Sequence, residues 1–147
     1  MVREDVILGK DVIIIEPVNI YGCKLADNVR IGPFVEIQKD VIIRKNSKIQ
    51  SHTFICEMVS IGESCFIGHG VMFVNDDFKV KHGPAQGDKN LWKRTIIEDN
   101  VAIGSNATIL PVRICSGSVI GAGSVVTKDI IIKGIYAGNP ARLIRKI

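Results

Sequence analysis

The chain has 147 residues, of which 46% are hydrophobic and only 5% aromatic, and its formal net charge is +4. This length suits a single domain, and many Val and Ile residues with few large rings favour a thin, regular β interior. Charged residues or Asn interrupt every apolar stretch, which excludes a membrane span, and the modest, dispersed charge fits an anionic small molecule better than nucleic acid. The charged start MVREDVILGK lacks the apolar segment of a signal peptide, so we expect a cytoplasmic protein.

A large apolar residue recurs every six positions along most of the chain. This row comprises Leu8, Ile14, Ile20, Leu25, Ile31, Ile37, Ile43, Ile49, Ile55, Ile61, Ile67, Phe73, Ile97, Ile103, Ile109, Ile114, Ile120 and Val126. A second row of small or β-branched residues lies two positions earlier, at Val6, Val12, Val18, Cys23, Val29, Val35, Val41, Ser47, Thr53, Val59, Cys65, Val71, Thr95, Val101, Ala107, Val112, Ser118 and Ser124. Because residues two apart share one face of a strand, both rows are predicted to point inward.

Turn-forming residues follow the large apolar row at a fixed distance of three. They are Asp11, Asn28, Asp40, Asn46, Gly70, Asn100, Asn106, Gly117 and Gly123. These residue types tolerate positive φ, so they mark corners between very short strands. Strand, corner and strand at period six predict an all-β parallel β-helix of about six coils over residues 1–128. Two steps are only five residues long, Ile20 to Leu25 and Ile109 to Ile114, and nothing in the repeat explains them.

The repeat lapses once, from Asn75 to Arg94, where the sequence reads NDDFKVKHGPAQGDKNLWKR. Long excursions from a compact scaffold tend to be functional or disordered, and this one returns in register, so we interpret it as a functional loop. Residues 129–147 form a tail with a basic end. Pro suits a first helical turn, so a short helix is predicted after Pro140.

The four cysteines, Cys23, Cys56, Cys65 and Cys115, form no CxxC pair. Two of them occupy inward positions of the repeat. We interpret them as reduced thiols of a reducing compartment.

The repeat, taken with the tail GNPAR and its basic end, resembles the hexapeptide-repeat acyltransferases over nearly the whole chain. That resemblance implies a left-handed β-helix, a homotrimer with its sites between subunits, and acetyl-CoA as acyl donor. The segments IGSNATIL, GAGSVVTK and NPARLIR match the acetyl-CoA-using members. They imply that Ser105 and Ala122 line the pantetheine groove and that Thr127 and Lys128 lie further along it. The matching cations for the cofactor phosphates are Arg142 and Arg145.

The segment FIGHGVMFVND is similar to that of nucleotide-sugar N-acetyltransferases, which acetylate the 3-amino group of UDP- or dTDP-linked sugars for surface polysaccharides. The resemblance places Asn75 beside the acceptor amine. Glu57 precedes Asn75 by eighteen residues, or one coil, so the two are expected to stack on one edge. Asp76 follows directly and is a third candidate catalytic residue, although it also occupies a corner position at which it would only cap a turn.

The choice between an amine and a hydroxyl acceptor depends on the base. A hydroxyl needs a strong base such as histidine, whereas a neutral amine is already nucleophilic and coenzyme A is a good leaving group. The O-acetylating relatives carry a histidine where this chain has Phe78, which favours an amine. His69 or the loop residue His82 keeps open an O-acetyltransferase that acts on a sugar or serine hydroxyl.

Two functions outside acyl transfer are also compatible with the sequence. The same fold carries zinc in γ-class carbonic anhydrases, and His52 and His69 lie nearly one coil apart, but the close histidine pair of that family is absent and no metal is expected. We place His52, His69 and His82 as candidate substrate-binding residues. The second such function is that of a non-catalytic trimeric scaffold.

Overall fold

A computed structural model describes all 147 residues. The strands are β1 Ile7–Leu8, β2 Ile13–Ile14, β3 Asn19–Ile20, β4 Lys24–Leu25, β5 Arg30–Ile31, β6 Glu36–Ile37, β7 Ile42–Ile43, β8 Lys48–Ile49, β9 Phe54–Ile55, β10 Val59–Ile61, β11 Phe66–Ile67, β12 Met72–Phe73, β13 Thr95–Ile97, β14 Ala102–Ile103, β15 Thr108–Ile109, β16 Arg113–Ile114, β17 Val119–Ile120, β18 Val125–Val126, β19 Gly134–Ala137 and β20 Arg142–Lys146. One 3₁₀ turn spans Lys89–Leu91. No helix has both the length and the apolar character that a membrane crossing requires.

The chain visits three parallel sheets in turn, so every three strands complete one coil and β1 to β18 complete six. Sheet 1 contains β1, β4, β7, β10, β13 and β16; sheet 2 contains β2, β5, β8, β11, β14 and β17, and then β19 and β20; sheet 3 contains β3, β6, β9, β12, β15 and β18. Successive coils stack in register, with Ile67 opposite both Ile49 and Ile103. The predicted parallel β-helix of about six coils is confirmed.

Both inward rows form the core, as predicted. Every member from Val18 to Val126 is buried, and the core is one continuous cluster. Members of the first coil are the exception, since no coil lies beneath them: Leu8 is 49% exposed. All nine predicted corner residues have positive φ, from 54° at Asp11 to 72° at Gly117. The period of six therefore arises from alternating inward side chains and left-handed corners.

Most polar side chains of the inward row form hydrogen bonds, several of them with the neighbouring coil. The Ser47 hydroxyl donates to the Gly62 carbonyl (2.7 Å) and accepts from the Cys65 amide (2.9 Å). Thr53 donates to the Gly68 carbonyl at 3.0 Å. These bonds tie adjacent coils together from inside the core, so the small polar members of the row also serve coil stacking.

The four cysteines are all unpaired. Burial raises the pKa of Cys23 and of Cys56 to about 12, and it raises the pKa of Cys65 in the same direction. These three thiols are therefore inert packing groups at neutral pH.

The predicted C-terminal helix is wrong, because residues 142–146 form a strand. β19 continues sheet 2 beside β17, and β20 folds back antiparallel onto β19. Gly138, at φ 101°, and Pro140 lie in the connecting hairpin. The last coil offers a row of free backbone groups, and pairing with that edge outweighs a short isolated helix, which is marginal in water.

Candidate active site

The loop of residues 75–94 leaves the coil at the corner between sheet 3 and sheet 1, which we call the loop edge. Each coil contributes the residues that follow its sheet 3 strand to this edge, so Gln38, Glu57 and Asn75 stack there. The loop returns to its point of departure, since the Lys93 amide donates to the Asn75 carbonyl at 2.8 Å. The scaffold therefore holds both ends of the loop at one position.

Glu57 and Asn75 contact one another, as their eighteen-residue spacing predicted. The Asn75 side-chain amide donates to the Glu57 carbonyl at 3.3 Å. From the other side, the Glu57 backbone amide donates to the side-chain oxygen of Gln38 at 3.2 Å. Both residues are thus fixed by the stacked coils, which is the precision that a rigid scaffold gives a site.

The Glu57 carboxylate binds the ammonium group of Lys89. Both Glu57 oxygens lie 2.9 Å from Lys89 Nζ, and the Glu57 side chain is only 13% exposed. The same Nζ lies 5.1 Å from the centre of the Trp92 ring. The hydrogen bond to Glu57, the largest contribution, raises the pKa of Lys89. Nothing in the repeat pointed to Lys89, because it lies in the aperiodic loop.

Asp76 anchors the loop. Its two carboxylate oxygens accept from the backbone amides of Ala85 (2.7 Å) and Phe78 (3.1 Å). It does not occupy a left-handed corner, since the chain leaves the coil at this point. Both of its oxygens are thus engaged within the loop, which leaves its predicted catalytic role as a hypothesis that competes with an anchoring role.

Asp77 is a second anchor, which the sequence did not reveal. Its side chain is 6% exposed and accepts from Lys93 Nζ at 2.7 Å. That hydrogen bond, the largest contribution, lowers the pKa of Asp77. The sequence signal was the acidic pair at the loop start and the basic cluster at its end, but spacing alone does not show which residues pair.

The three histidines have different surroundings. His52 stacks on Phe34 with ring centroids 4.8 Å apart, and His69 Nδ1 shares a 2.8 Å hydrogen bond with the Ser51 hydroxyl. His82 is exposed in the loop at φ 52°. No group of three or more His, Cys, Asp or Glu side chains is arranged to hold a metal ion.

The predicted cofactor residues are divided between two corners. Ser105 and Ala122 follow strands of sheet 2, and so stack with Ser51 and His69 at the corner between sheets 2 and 3, which we call the Ser105 edge. This stacking is tight: a Cβ atom on Gly104 would lie 2.5 Å from the backbone nitrogen of Ala122.

The remaining cofactor candidates lie at the C-terminal end of the coil. Thr127 and Lys128 follow β18 and therefore belong to the loop edge, in line with Asn75. Lys128 and Arg142 line one pocket at the last coil, whereas Arg145 pairs with Ile135 in the hairpin and does not line it. The structure thus brings together only part of the predicted set.

A groove with two cations begins one residue from Glu57. It is lined by Met58, Gly22, Asp40, Lys24 and Arg94. The groove thus places two cations at the loop edge, next to Glu57 along the chain.

Comparisons with known proteins agree with this architecture. Residues 22–57 match the family model described as bacterial transferase hexapeptide (six repeats), and residues 94–128 match hexapeptide repeat of succinyl-transferase. The bifunctional protein GlmU of Thermosipho africanus (strain TCF52B) is 37% identical over 126 residues. That alignment includes 85% of this chain but 25% of GlmU, so the chain spans about a quarter of the length of this relative.

Two solved structures share the fold, and each is 25% identical in sequence to this chain. A mutant of AntD, an N-acyltransferase from Bacillus cereus in complex with dTDP and coenzyme A, has a TM-score of 0.75, 25% identity, and coverage of 95% of this chain and 83% of AntD. A hexapeptide-repeat-containing acetyltransferase from Vibrio cholerae O1 biovar eltor, in complex with acetyl coenzyme A, has a TM-score of 0.58, 25% identity, and coverage of 97% and 70%. The repeat, the coil and these matches together show that the chain carries the bacterial transferase hexapeptide repeat and has the fold of the solved hexapeptide-repeat acyltransferases.

Proposed function

We propose that the chain is an acetyl-CoA-dependent N-acetyltransferase that acts on the amine of a nucleotide-linked amino sugar, with UDP- or dTDP-3-amino sugars as the first acceptors to test. The observation that carries the proposal is the Glu57 carboxylate, stacked on Asn75 and binding an ammonium group through both oxygens at 2.9 Å. AntD, an N-acyltransferase, was crystallised with dTDP and coenzyme A, which supports this class of substrate and donor.

Acetylation of an amine requires the enzyme to orient the amine and remove its protons more than to activate it as a nucleophile. The neutral amine attacks the thioester carbonyl, a C–N bond forms, and the C–S bond breaks with release of the coenzyme A thiolate. Glu57 accepts a proton from the incoming ammonium, and the side-chain oxygen of Asn75 orients the nitrogen. Neither residue has a histidine among its hydrogen-bond partners, which favours an amine over a hydroxyl as the acceptor.

The charges around the edge suit a nucleotide diphosphate. Lys24 and Arg94 line the groove beside Glu57, and neither of them forms a salt bridge within the chain. Lys128 and Arg142 share the pocket at the last coil, where they are available to the phosphates of coenzyme A.

A homotrimer accounts for the divided cofactor residues. Ser105 and Ala122 lie on one edge, whereas Asn75 and Lys128 lie on another, so one chain does not bring the whole predicted set together. Packing coils side by side with their axes parallel would bring the Ser105 edge of one subunit toward the loop edge of its neighbour. A cytoplasmic location, where nucleotide sugars and acetyl-CoA are both present, belongs to the same proposal.

The test is an assay of thiol release from acetyl-CoA with UDP- and dTDP-3-amino sugars. We expect turnover with an amino acceptor and a loss of roughly 100-fold or more in kcat for Asn75→Ala, since positioning and proton transfer contribute factors of that order. Asn90→Ala is the matched control, because Asn90 lies in the same loop and engages Asp88 only through its backbone amide. No turnover with any amine would refute the proposal, and an unchanged rate in Asn75→Ala would refute the site.

A second candidate is an O-acetyltransferase acting on a sugar or serine hydroxyl. The observation that favours it is the 2.8 Å contact between His69 Nδ1 and the Ser51 hydroxyl, which orients an imidazole on the same edge as Ser105 and Ala122. Turnover of hydroxyl acceptors that His69→Gln abolishes would support this candidate. Turnover of amines alone, unaffected by His69→Gln, would eliminate it.

A further inference from the structure

The ammonium group of Lys89 is held by two unlike groups. Both carboxylate oxygens of Glu57 lie 2.9 Å away, and the Trp92 ring centre lies 5.1 Å away. Lys89 itself lies on the short 3₁₀ turn that Asp88 caps through the Asn90 amide. Since a carboxylate and an aromatic face both attract a cation, this arrangement has the chemistry of an ammonium-binding site.

The Glu57 and Lys89 side chains differ in how freely they can move. Glu57 is fixed by the coil and is 13% exposed, whereas the Lys89 side chain is 51% exposed and belongs to a loop. Exposed lysines on flexible stems form weak, exchangeable ion pairs, so Lys89 can withdraw into solvent while Glu57 stays in place. The rigid part of the site is therefore the anion, and the ammonium is its replaceable occupant.

We infer that Glu57 and Trp92 form a subsite for a primary ammonium group, which Lys89 occupies in the free protein and which the ammonium of the acceptor takes over when it binds. The identity of the acceptor as an amino sugar rests on the proposed function, but the ammonium subsite does not. The chain thus carries its own competitor for the acceptor position.

The exchange selects amines over hydroxyls. A protonated amine that displaces Lys89 restores the charge partner of Glu57, whereas a hydroxyl supplies no positive charge in exchange. During acylation the C–N bond forms and the thioester C–S bond breaks. Of the two protons that the ammonium loses, one passes through Glu57 to solvent and the other ends on the departing thiolate.

Fluorescence can test the subsite without any catalysis, because Trp92 is the only tryptophan of the chain. We would titrate the wild type, Lys89→Met, the double variant Lys89→Met with Glu57→Gln, and Lys81→Met with n-propylammonium chloride at constant ionic strength. Lys81 is an exposed loop lysine without a salt bridge, so Lys81→Met is the matched control. We expect a saturable response of Trp92 in Lys89→Met at concentrations about tenfold lower than in the wild type and in Lys81→Met, and none in the double variant.

A response of Lys89→Met that equals the wild type, or that n-propanol reproduces, would overturn the inference. In the transferase assay, the KM for the amino acceptor is expected to fall about threefold or more in Lys89→Met, because the competing occupant is removed. A rise in KM would mean that Lys89 helps to hold the acceptor, and would overturn displacement. If no amine is turned over at all, the proposed function fails, while the fluorescence titration still decides the subsite.

Discussion

Replacing Asp76 by Ala separates an anchoring role from a catalytic one. In the structure both Asp76 oxygens accept loop amides, those of Ala85 at 2.7 Å and of Phe78 at 3.1 Å. Ala85 is 3% exposed, so its buried amide depends on the carboxylate for its hydrogen bond. Phe78 is exposed, and water replaces the carboxylate there. The change should therefore loosen the loop chiefly through Ala85.

The size of the effect follows from that one orphaned amide. Leaving a buried N–H without a partner costs about 1–3 kcal/mol, and a central value of ~2 kcal/mol corresponds to roughly 30-fold in the equilibrium between closed and open loop. The coils do not depend on this contact, so global unfolding should change little. Asp76→Asn keeps one oxygen that can accept from Ala85, and is expected to open the loop less.

Hydrogen exchange of the backbone amides, detected by the mass of peptides, measures the opening of the loop directly. Exchange over residues 78–92 should accelerate roughly 30-fold in Asp76→Ala, while peptides from residues 97–126 stay protected. Transferase activity is measured on the same samples. If exchange in the loop is unchanged but activity disappears, the anchoring argument is wrong and the carboxylate acts on the substrate.

Three further predictions address the loop, the core and the coil stacking. The hydrogen bond from Lys93 lowers the folded pKa of Asp77, so the contribution of Asp77 to loop stability is complete above about pH 4 and is lost as the pH falls through the folded value. The protection factors of the loop amides, which are taken relative to the intrinsic exchange rate at each pH, should therefore fall in acid, and Asp77→Asn should weaken that dependence. Thr95 has a buried hydroxyl with no partner, so Thr95→Val should raise the free energy of unfolding by about 1 kcal/mol in urea titrations, and a decrease would show that the hydroxyl is satisfied. Gly104→Ala places a Cβ atom 2.5 Å from the Ala122 nitrogen and should destabilise the coil by about 1–3 kcal/mol in the same titrations, whereas unchanged stability would mean that the stack is loose.

The coil could be predicted residue by residue because its interactions are local to the repeat. Each inward side chain packs on the equivalent residues of the coils above and below, as Ile67 does on Ile49 and Ile103. A period in the sequence therefore contains the contact pattern, and stacking Glu57 under Asn75 follows from the same spacing. The prediction loses accuracy only at the ends, where Leu8 lacks a neighbour and the tail meets a free sheet edge.

The loop could not be predicted in this way, because its contacts follow no period. Lys93 reaches back sixteen residues to Asp77, and Lys89 reaches thirty-two residues to Glu57. Several lysines of the loop were equivalent candidates for each carboxylate. Which lysine pairs with which acid depends on the path of the chain between Asp77 and Lys93, which composition does not specify.

The departures from the six-residue period within the coil all fall on the loop edge, where the site is proposed. The five-residue steps Ile20 to Leu25 and Ile109 to Ile114 both lead from sheet 3 to sheet 1, as does the excursion over residues 75–94. Corners on the other two edges keep three residues throughout, since each stacks on its neighbours there. At the loop edge the corner above Asn75 is reduced to Leu110 and Pro111, which removes one outward residue beside the site. An edge that carries both an insertion and shortened corners is one that coil stacking has not constrained, and such an edge is free to carry a function. In this chain, the irregularities that share a corner thus point to the same edge as the proposed site residues, without any catalytic motif.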